Sequence, residues 1–136
     1  MGLFAGTPPA DLGAKDGRLK PCPRSPNCVS SQADRADETH AIAPLAFKGD
    51  PAGAWRALRD LVAGWERAKV VVDEDAYLRA EFATRVMGFV DDVEFLLDPG
   101  ARVIHVRSAS RLGRRDFGVN RERVEAIRSR LAARGI

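Results

Sequence analysis

Long apolar runs are missing from this chain of 136 residues. No segment reaches the roughly 18 consecutive apolar residues that a membrane-spanning helix needs, so no membrane span is predicted. The first residues, MGLFAGTPP, have neither the basic region nor the long apolar stretch of a secretory signal. We therefore expect a cytoplasmic protein as numbered, or a periplasmic one if a leader has been removed.

Cysteine and histidine are also scarce, and the net charge is small. Two cysteines permit one disulfide but exclude a fold built on cysteines, and the two histidines, His40 and His105, match no usual zinc-ligand spacing. The chain has 22 Lys+Arg against 19 Asp+Glu, a net charge of +3, so its surface is mixed and lacks the cationic field of a nucleic-acid binder. We predict no metal ion and no cofactor, and the sequence argues against a nucleic-acid partner.

Residues 1–38 are expected to form an irregular N-terminal arm. They contain five of the eight prolines and few apolar residues, so no regular element is predicted there. Such a segment is too long for an ordinary loop, which indicates an arm that is either disordered or laid across the folded body. Residues 39–136 have the size and composition of a single α+β domain.

Hydrophobic periodicity after residue 39 predicts the order β-α-β-β-β-β-α. Helices are predicted at 51–66, after the Asp50-Pro51 start signal, and at 121–134, with Asn120 as N-cap. Strands are predicted at residues 40–48, 70–72, 77–83, 89–97 and 102–110. Pro44 confines the first of these to a sheet edge. The expected fold has two layers, an antiparallel sheet with both helices on its apolar face.

The predicted hairpin around residues 98–101 separates an apolar face from a charged face. Symmetric pairing about this turn places opposite charges across from each other on the charged face, which supports the register because a one-residue slip would invert every side chain. The expected pairs include Asp91 with Ser108 on the apolar side, and Asp92 with Arg107 and Glu94 with His105 on the charged side.

Three stretches of the chain resemble one protein family. They are residues 17–32 (GRLKPCPRSPNCVSSQ), 88–95 (GFVDDVEF) and 106–121, which begins VRSASR. Together they resemble the family catalogued as domain of unknown function 1499, found in many bacteria and in plastids, over nearly the whole chain. The resemblance implies a small α+β domain and no established activity. Relatives often have a tyrosine where this chain has Arg114, and some carry a leader or lipoprotein signal that this chain lacks.

Cys22 and Cys28 flank a loop that Pro23 and Pro26 would bend. They can meet if the loop folds back, and a disulfide closing so short a loop would contribute about 2 kcal/mol of stability. Two thiols in a reducing cytoplasm, or a redox or metal-binding role, are the alternatives.

The segment from Arg107 to Arg121 is rich in arginine and serine and leads into the second predicted helix. Arginine forks, hydroxyl groups and the free N–H groups of a helix start are the groups that bind carboxylates and phosphates. We therefore predict a binding zone for a small anion where eight residues converge: Asp91, Arg107, Ser108, Ser110, Arg111, Asp116, Asn120 and Arg121. The alternative is a structural loop in which Asp116 pairs with Arg111 or Arg121.

Two functional hypotheses follow. The first is a small ligand-binding or protein-interaction module, with residues 22–31 folded over the charged side of the sheet. The second is an enzyme acting on a small anionic substrate, with Asp91 as acid/base and Arg107, Arg111 and Arg121 as clamps. Asp91 needs a partner if it is buried, and Arg111, Arg121 or the nearby serine hydroxyls could supply it. No motif places a serine or cysteine nucleophile beside a base.

Overall fold

A computed structural model describes residues 5–85, 87–113 and 116–136, and within these ranges it contains six strands and two helices. In chain order they are β1 (Cys28–Ser30), β2 (Leu45–Ala46), α1 (Pro51–Ala63), β3 (Ala68–Asp73), β4 (Tyr77–Ala83), β5 (Val90–Asp98), β6 (Val103–Ser110) and α2 (Val119–Ala133). The fold is α+β, and the order from β2 to α2 is the predicted one. No helix in these ranges is long and apolar enough to cross a membrane.

The strands form one antiparallel sheet in the order β1-β6-β5-β4-β3, and β2 also pairs with β6. The prediction of no regular element in residues 1–38 was wrong at β1, which pairs with the 107–109 portion of β6. The strand predicted at 40–48 is reduced to two residues, beside β1 along the same edge of β6. Both short strands therefore depend on β6 as a long-range partner.

The β5–β6 register differs by two residues from the predicted one. Asp91 lies opposite Ser110, and Glu94 lies opposite Arg107. Asp98 pairs with Val103, so the connection between the strands has four residues, 99–102, and ends with Arg102 at a φ of 55°. Each residue of β5 therefore lies opposite a β6 residue two positions farther along the chain than predicted. Because side chains alternate with period two, a two-residue shift keeps each side chain on its predicted face.

The helices pack on the apolar face of the sheet. Leu58 of α1 and Ile127 of α2 are fully buried, as is Phe95 of β5 beneath them. Helix α1 begins as predicted, with Pro51 in its first turn and the Asp50 carboxylate accepting the Gly53 N–H at 3.1 Å. This layer is the main hydrophobic core of the molecule.

Residues 5–21 lie over the opposite, charged face. The Gly13 N–H donates to Glu94 Oε2 at 2.9 Å, and Ala5 and Leu19 are buried. The segment expected to cover this face, residues 22–31, instead supplies β1 to the sheet. The charged face is therefore an interior layer between the sheet and residues 5–21.

Candidate functional site

Asp116 holds the start of α2. Its Oδ1 accepts the Gly118 N–H at 2.9 Å, and its Oδ2 accepts the Asn120 N–H at 3.2 Å and Asn120 Nδ2 at 2.8 Å. Burial opposes ionisation of this carboxyl, but the hydrogen bonds outweigh it and lower the pKa of Asp116. The free N–H groups predicted to bind an anionic ligand are thus partly used by the chain's own carboxylate.

Asn120 is not the N-cap that the sequence predicted. The helix begins at Val119 with Gly118 at the cap position, and Asn120 lies fully buried in the first turn. Its Oδ1 accepts the Ser108 hydroxyl at 2.6 Å, and its Nδ2 donates to Ser110 Oγ at 2.9 Å. Asn120 therefore connects the helix directly to β6.

Asp91 is buried, and its partner is Arg123 rather than any of the predicted residues. Arg123 Nη2 lies 2.7 Å from Asp91 Oδ2, and Nη1 donates to Asn120 Oδ1 at 2.9 Å. The guanidinium also stacks 5.1 Å from the centre of the Phe82 ring. Sequence reasoning missed this role, although a position three residues after Asn120 lies on the same side of a helix.

Arg111 lies on the charged face of the sheet. It makes two hydrogen bonds to Asp92, at 2.8 and 2.9 Å, and one to Glu81 at 2.6 Å. These carboxylates raise the pKa of Arg111. Its charge is matched within the protein.

Arg107 lies on the same charged face and is almost fully buried. Its Nη1 is 3.7 Å from Glu94 Oε1, while the Tyr77 hydroxyl donates to the other oxygen of Glu94 at 2.5 Å. The predicted Asp92–Arg107 and Glu94–His105 pairs were wrong because of the two-residue register shift. Burial lowers the pKa of Arg107, and burial together with Glu94 raises the pKa of Tyr77.

Arg121 lies apart from both of these groups and contacts the turn at residues 38–41. Its guanidinium donates to three backbone carbonyl oxygens in the 38–41 turn, at 2.8 to 3.3 Å. The structural alternative paired Asp116 with Arg111 or Arg121, and Asp116 pairs with neither of these two arginines. The eight predicted residues therefore do not converge: Asp91, Ser108, Ser110, Asp116 and Asn120 gather on the helix side, Arg107 and Arg111 lie under residues 5–21, and Arg121 holds the 38–41 turn.

An open pocket of about 310 Å³ lies beside the helix-side cluster, at the start of β5 and the end of β6. We call it the β5–β6 pocket. Three of the predicted site residues, Asp91, Ser110 and Asp116, line it. Its other described lining residues are Thr84, Phe89, Val90, Leu112, Gly113, Phe117 and Val119. Arg114, where relatives often have tyrosine, is outside the described residues.

Exposed apolar side chains concentrate at this pocket. Among the described residues the large exposed hydrophobics are Met87, Leu112, Phe117 and Val119, and the last three line the pocket. Phe117 is 91% exposed and has a φ of 53°, a left-handed conformation that is unfavourable for a bulky residue. Such strain collects at functional sites, where the surrounding structure maintains it.

Cys22 and Cys28 are paired, with their Sγ atoms 2.07 Å apart. Cys28 is fully buried at the start of β1, whereas Cys22 is half-buried. The neighbouring Asn27, which sequence reasoning did not select, donates from Nδ2 to the Gly113 carbonyl oxygen at 2.7 Å. The cysteine loop, residues 22–28, therefore touches the wall of the β5–β6 pocket.

Comparison with known proteins gives one match. A family model described as "Protein of unknown function (DUF1499)" matches residues 18–131, from just before the cysteine loop to the last turn of α2. No curated protein and no solved structure matches the chain. The match includes every described residue that lines the β5–β6 pocket.

Proposed function

We propose that this chain, which belongs to the DUF1499 family of proteins of unknown function, is a small-ligand-binding domain whose ligand occupies the β5–β6 pocket. One observation carries the proposal: an open pocket of about 310 Å³ joins exposed apolar walls to a half-buried polar floor. Ligand sites typically have this character, with mostly apolar walls and a few fixed polar groups.

The walls favour a ligand with an apolar body. Phe89, Leu112, Phe117 and Val119 supply apolar surface, and three of these four side chains are substantially exposed. Covering that surface would be favourable by about 25 cal/mol for each Å² removed from water. The strained and exposed Phe117 is the side chain with the most surface to gain from a ligand.

The floor favours a polar group at one end of the same ligand. The Ser110 hydroxyl and the Asp116 carboxylate line the pocket, and the hydrogen bonds of Asn120 fix both. Polar groups held in this way bind a ligand without the entropic cost of ordering them. The proposed ligand is therefore amphipathic.

The arginine clamp expected from the sequence is not part of this proposal. Asp92 and Glu81 neutralise Arg111, and backbone carbonyls hold Arg121. Arg107 and Arg111 also lie on the opposite face of the sheet from Asp91, so the enzyme hypothesis lacks its assembled site. Asp91 itself is held in an ion pair with Arg123. These contacts support binding as the function.

We also propose an oxidising compartment, such as the periplasm, as the site of action. The paired cysteines support it, because disulfides persist in oxidising compartments and are rare in a reducing cytoplasm.

Native mass spectrometry of the protein purified from its own host tests the ligand proposal. We expect an additional mass that dissociates on denaturation, because the apolar walls would retain an amphipathic ligand. Phe117→Ser should weaken binding about tenfold and so lower the liganded fraction, since it removes apolar surface worth roughly 1.5 kcal/mol when covered.

Met87→Ser provides the matched control. Met87 is 48% exposed on the neighbouring segment but does not line the pocket, so this variant should retain the ligand. Equal loss in both variants would show that the ligand attaches to the general apolar surface and not in the pocket.

A further inference from the structure

The cysteine loop contacts the proposed ligand site at a position that a change of redox state would disturb. We infer that the Cys22–Cys28 disulfide is a thiol–disulfide exchange site that controls the β5–β6 pocket through Asn27. The part of this inference that concerns ligand affinity rests on the proposed function. The structural link between the disulfide and the pocket stands independently of any ligand.

Asn27 is the connecting residue. It is 5% exposed, and its backbone carbonyl accepts the Ser110 N–H at 3.0 Å and Asn120 Nδ2 at 3.3 Å. Its side-chain Nδ2 donates to the Gly113 carbonyl oxygen at 2.7 Å. Ser110 and Gly113 line the pocket, and Asn120 fixes the polar floor. A displacement of Asn27 would therefore move the wall and the floor together.

The disulfide determines where Asn27 lies. It closes a ring of residues 22–28 in which Asn27 directly precedes the buried Cys28. Cys28 is in turn paired with Ala109 of β6. Opening the ring would restore conformational freedom to residues 22–27, while the pairing of β1 with β6 remains beyond it. The change should then be greatest at Asn27 and its hydrogen-bond partners.

Cys22 is the accessible end of the disulfide. It lines two clefts, of about 250 and 210 Å³, whereas Cys28 is fully buried. Lys20, Arg107 and Asp92 line the smaller cleft with Cys22. The cleft therefore gives a reductant access to the Cys22 sulfur.

The exchange requires a dithiol reductant, either a small molecule or an oxidoreductase. A thiolate of the reductant attacks Cys22 Sγ, the S–S bond breaks, and Cys28 leaves as a thiolate that takes up a proton. The second thiol of the reductant then attacks its own sulfur in the mixed disulfide and releases Cys22. Two electrons pass to the protein, which gains two thiols, and the reductant leaves as a disulfide.

Amide hydrogen exchange followed by NMR tests the structural link without any ligand. Reduction with dithiothreitol should accelerate exchange of the Ser110 N–H, which donates to Asn27, by about tenfold or more. The Ala80 N–H in β4, away from the cysteine loop, reports any loss of global stability on reduction, and its exchange should accelerate less than that of Ser110. An unchanged Ser110 rate, or equal acceleration at Ser110 and Ala80, would overturn the inference.

Two variants separate the disulfide from general destabilisation. Cys22→Ser cannot close the ring, so its Ser110 exchange should match that of the reduced protein and should not respond to dithiothreitol. Asn27→Ala keeps both cysteines but removes the donor to Gly113, so it should weaken ligand binding even when oxidised. An oxidised Asn27→Ala protein with wild-type affinity would contradict the role of Asn27.

Cyclohexanol, an apolar ring with one hydroxyl group, serves as the probe for affinity in these comparisons. Its dissociation constant should rise severalfold on reduction of the wild type. If cyclohexanol binds neither redox state while Ser110 exchange still responds, the proposed function fails and the structural link remains. If cyclohexanol binds the oxidised and the reduced protein equally, the disulfide does not control ligand affinity.

Discussion

His40 is a buried residue, 7% exposed, that has a hydrogen-bond acceptor at each ring nitrogen. Nδ1 is 2.7 Å from Asp37 Oδ2, and Nε2 is 2.9 Å from the Ser25 carbonyl oxygen. Only the imidazolium form has two N–H groups and satisfies both acceptors. Burial lowers the pKa of His40 and nearby Arg121 opposes its charge, but the Ser25 carbonyl and the Asp37 carboxylate outweigh both and raise that pKa.

This arrangement predicts that His40 stabilises the fold in acid and loses that contribution in base. Because its folded-state pKa lies above the unfolded value, the stabilisation is complete below the unfolded pKa of about 6.5 and is lost as pH rises through the folded pKa. The free energy of unfolding, measured with urea between about pH 5 and pH 9, should therefore fall more steeply in the wild type than in His40→Gln.

The comparison with His40→Gln is needed because His105 acts in the opposite direction. Burial lowers the pKa of His105, so its contribution is lost as pH falls. The variant retains His105, and the difference between the two proteins isolates His40. Parallel pH profiles would contradict the prediction.

The sequence indicated that a buried Asp91 needs a partner, but Arg111 and Arg121 were predicted where the structure has Arg123. The chain has several arginines between 107 and 123, and alternation along β6 sends Arg107 away from Asp91. Which helical arginine reaches Asp91 depends on how α2 docks on the sheet. That docking is a tertiary property which composition and spacing do not determine.

At the scale of elements, Asn120 joins α2 to the sheet. Its fully buried amide bonds to Ser108, Ser110 and Asp116, and to the Asn27 carbonyl beyond them. A buried polar network of this kind fixes one arrangement, since each donor and acceptor requires its partner. The helix consequently meets β6 through hydrogen bonds near its start and through apolar packing farther along.

Asn120→Ala should lower the free energy of unfolding by about 2 to 3 kcal/mol, because it leaves buried donors and acceptors without partners. Urea denaturation followed by circular dichroism measures the change. Ser129→Ala, an exposed position on the same helix, should change stability by less than about 0.5 kcal/mol. A loss in Asn120→Ala no larger than in Ser129→Ala would show that the network carries little of the docking energy.

The long elements were predictable from the sequence because their patterns are local. Helix α1 and strand β4 follow from cap residues and period-two alternation, and both faces of the β5–β6 hairpin were assigned correctly. The register was wrong by two residues because turn length, not alternation, determines it. Strand β1 was missed because its three residues in a proline-rich segment form a strand only through β6.

At the scale of the whole molecule, the sheet separates two polar systems with different roles. On one side, residues 5–21 cover a charged layer in which Asp92, Glu94, Arg107 and Arg111 pair with one another or with their neighbours. On the other side, a smaller polar cluster lies at the open β5–β6 pocket. The arginine-rich segment that suggested an anion site therefore supplies side chains to both systems, and alternation along the strand divides them.

Binding of amphipathic ligands in the β5–β6 pocket can be tested by an NMR titration of the backbone amides with cyclohexanol, and separately with cyclohexanecarboxylate. We expect saturable shifts for the Ser110, Gly113 and Gly118 amides, and the carboxylate should bind no more tightly than the alcohol. The absence of saturable shifts at these amides, or tight carboxylate binding centred on Arg107 and Lys20, would rule out the proposed binding site.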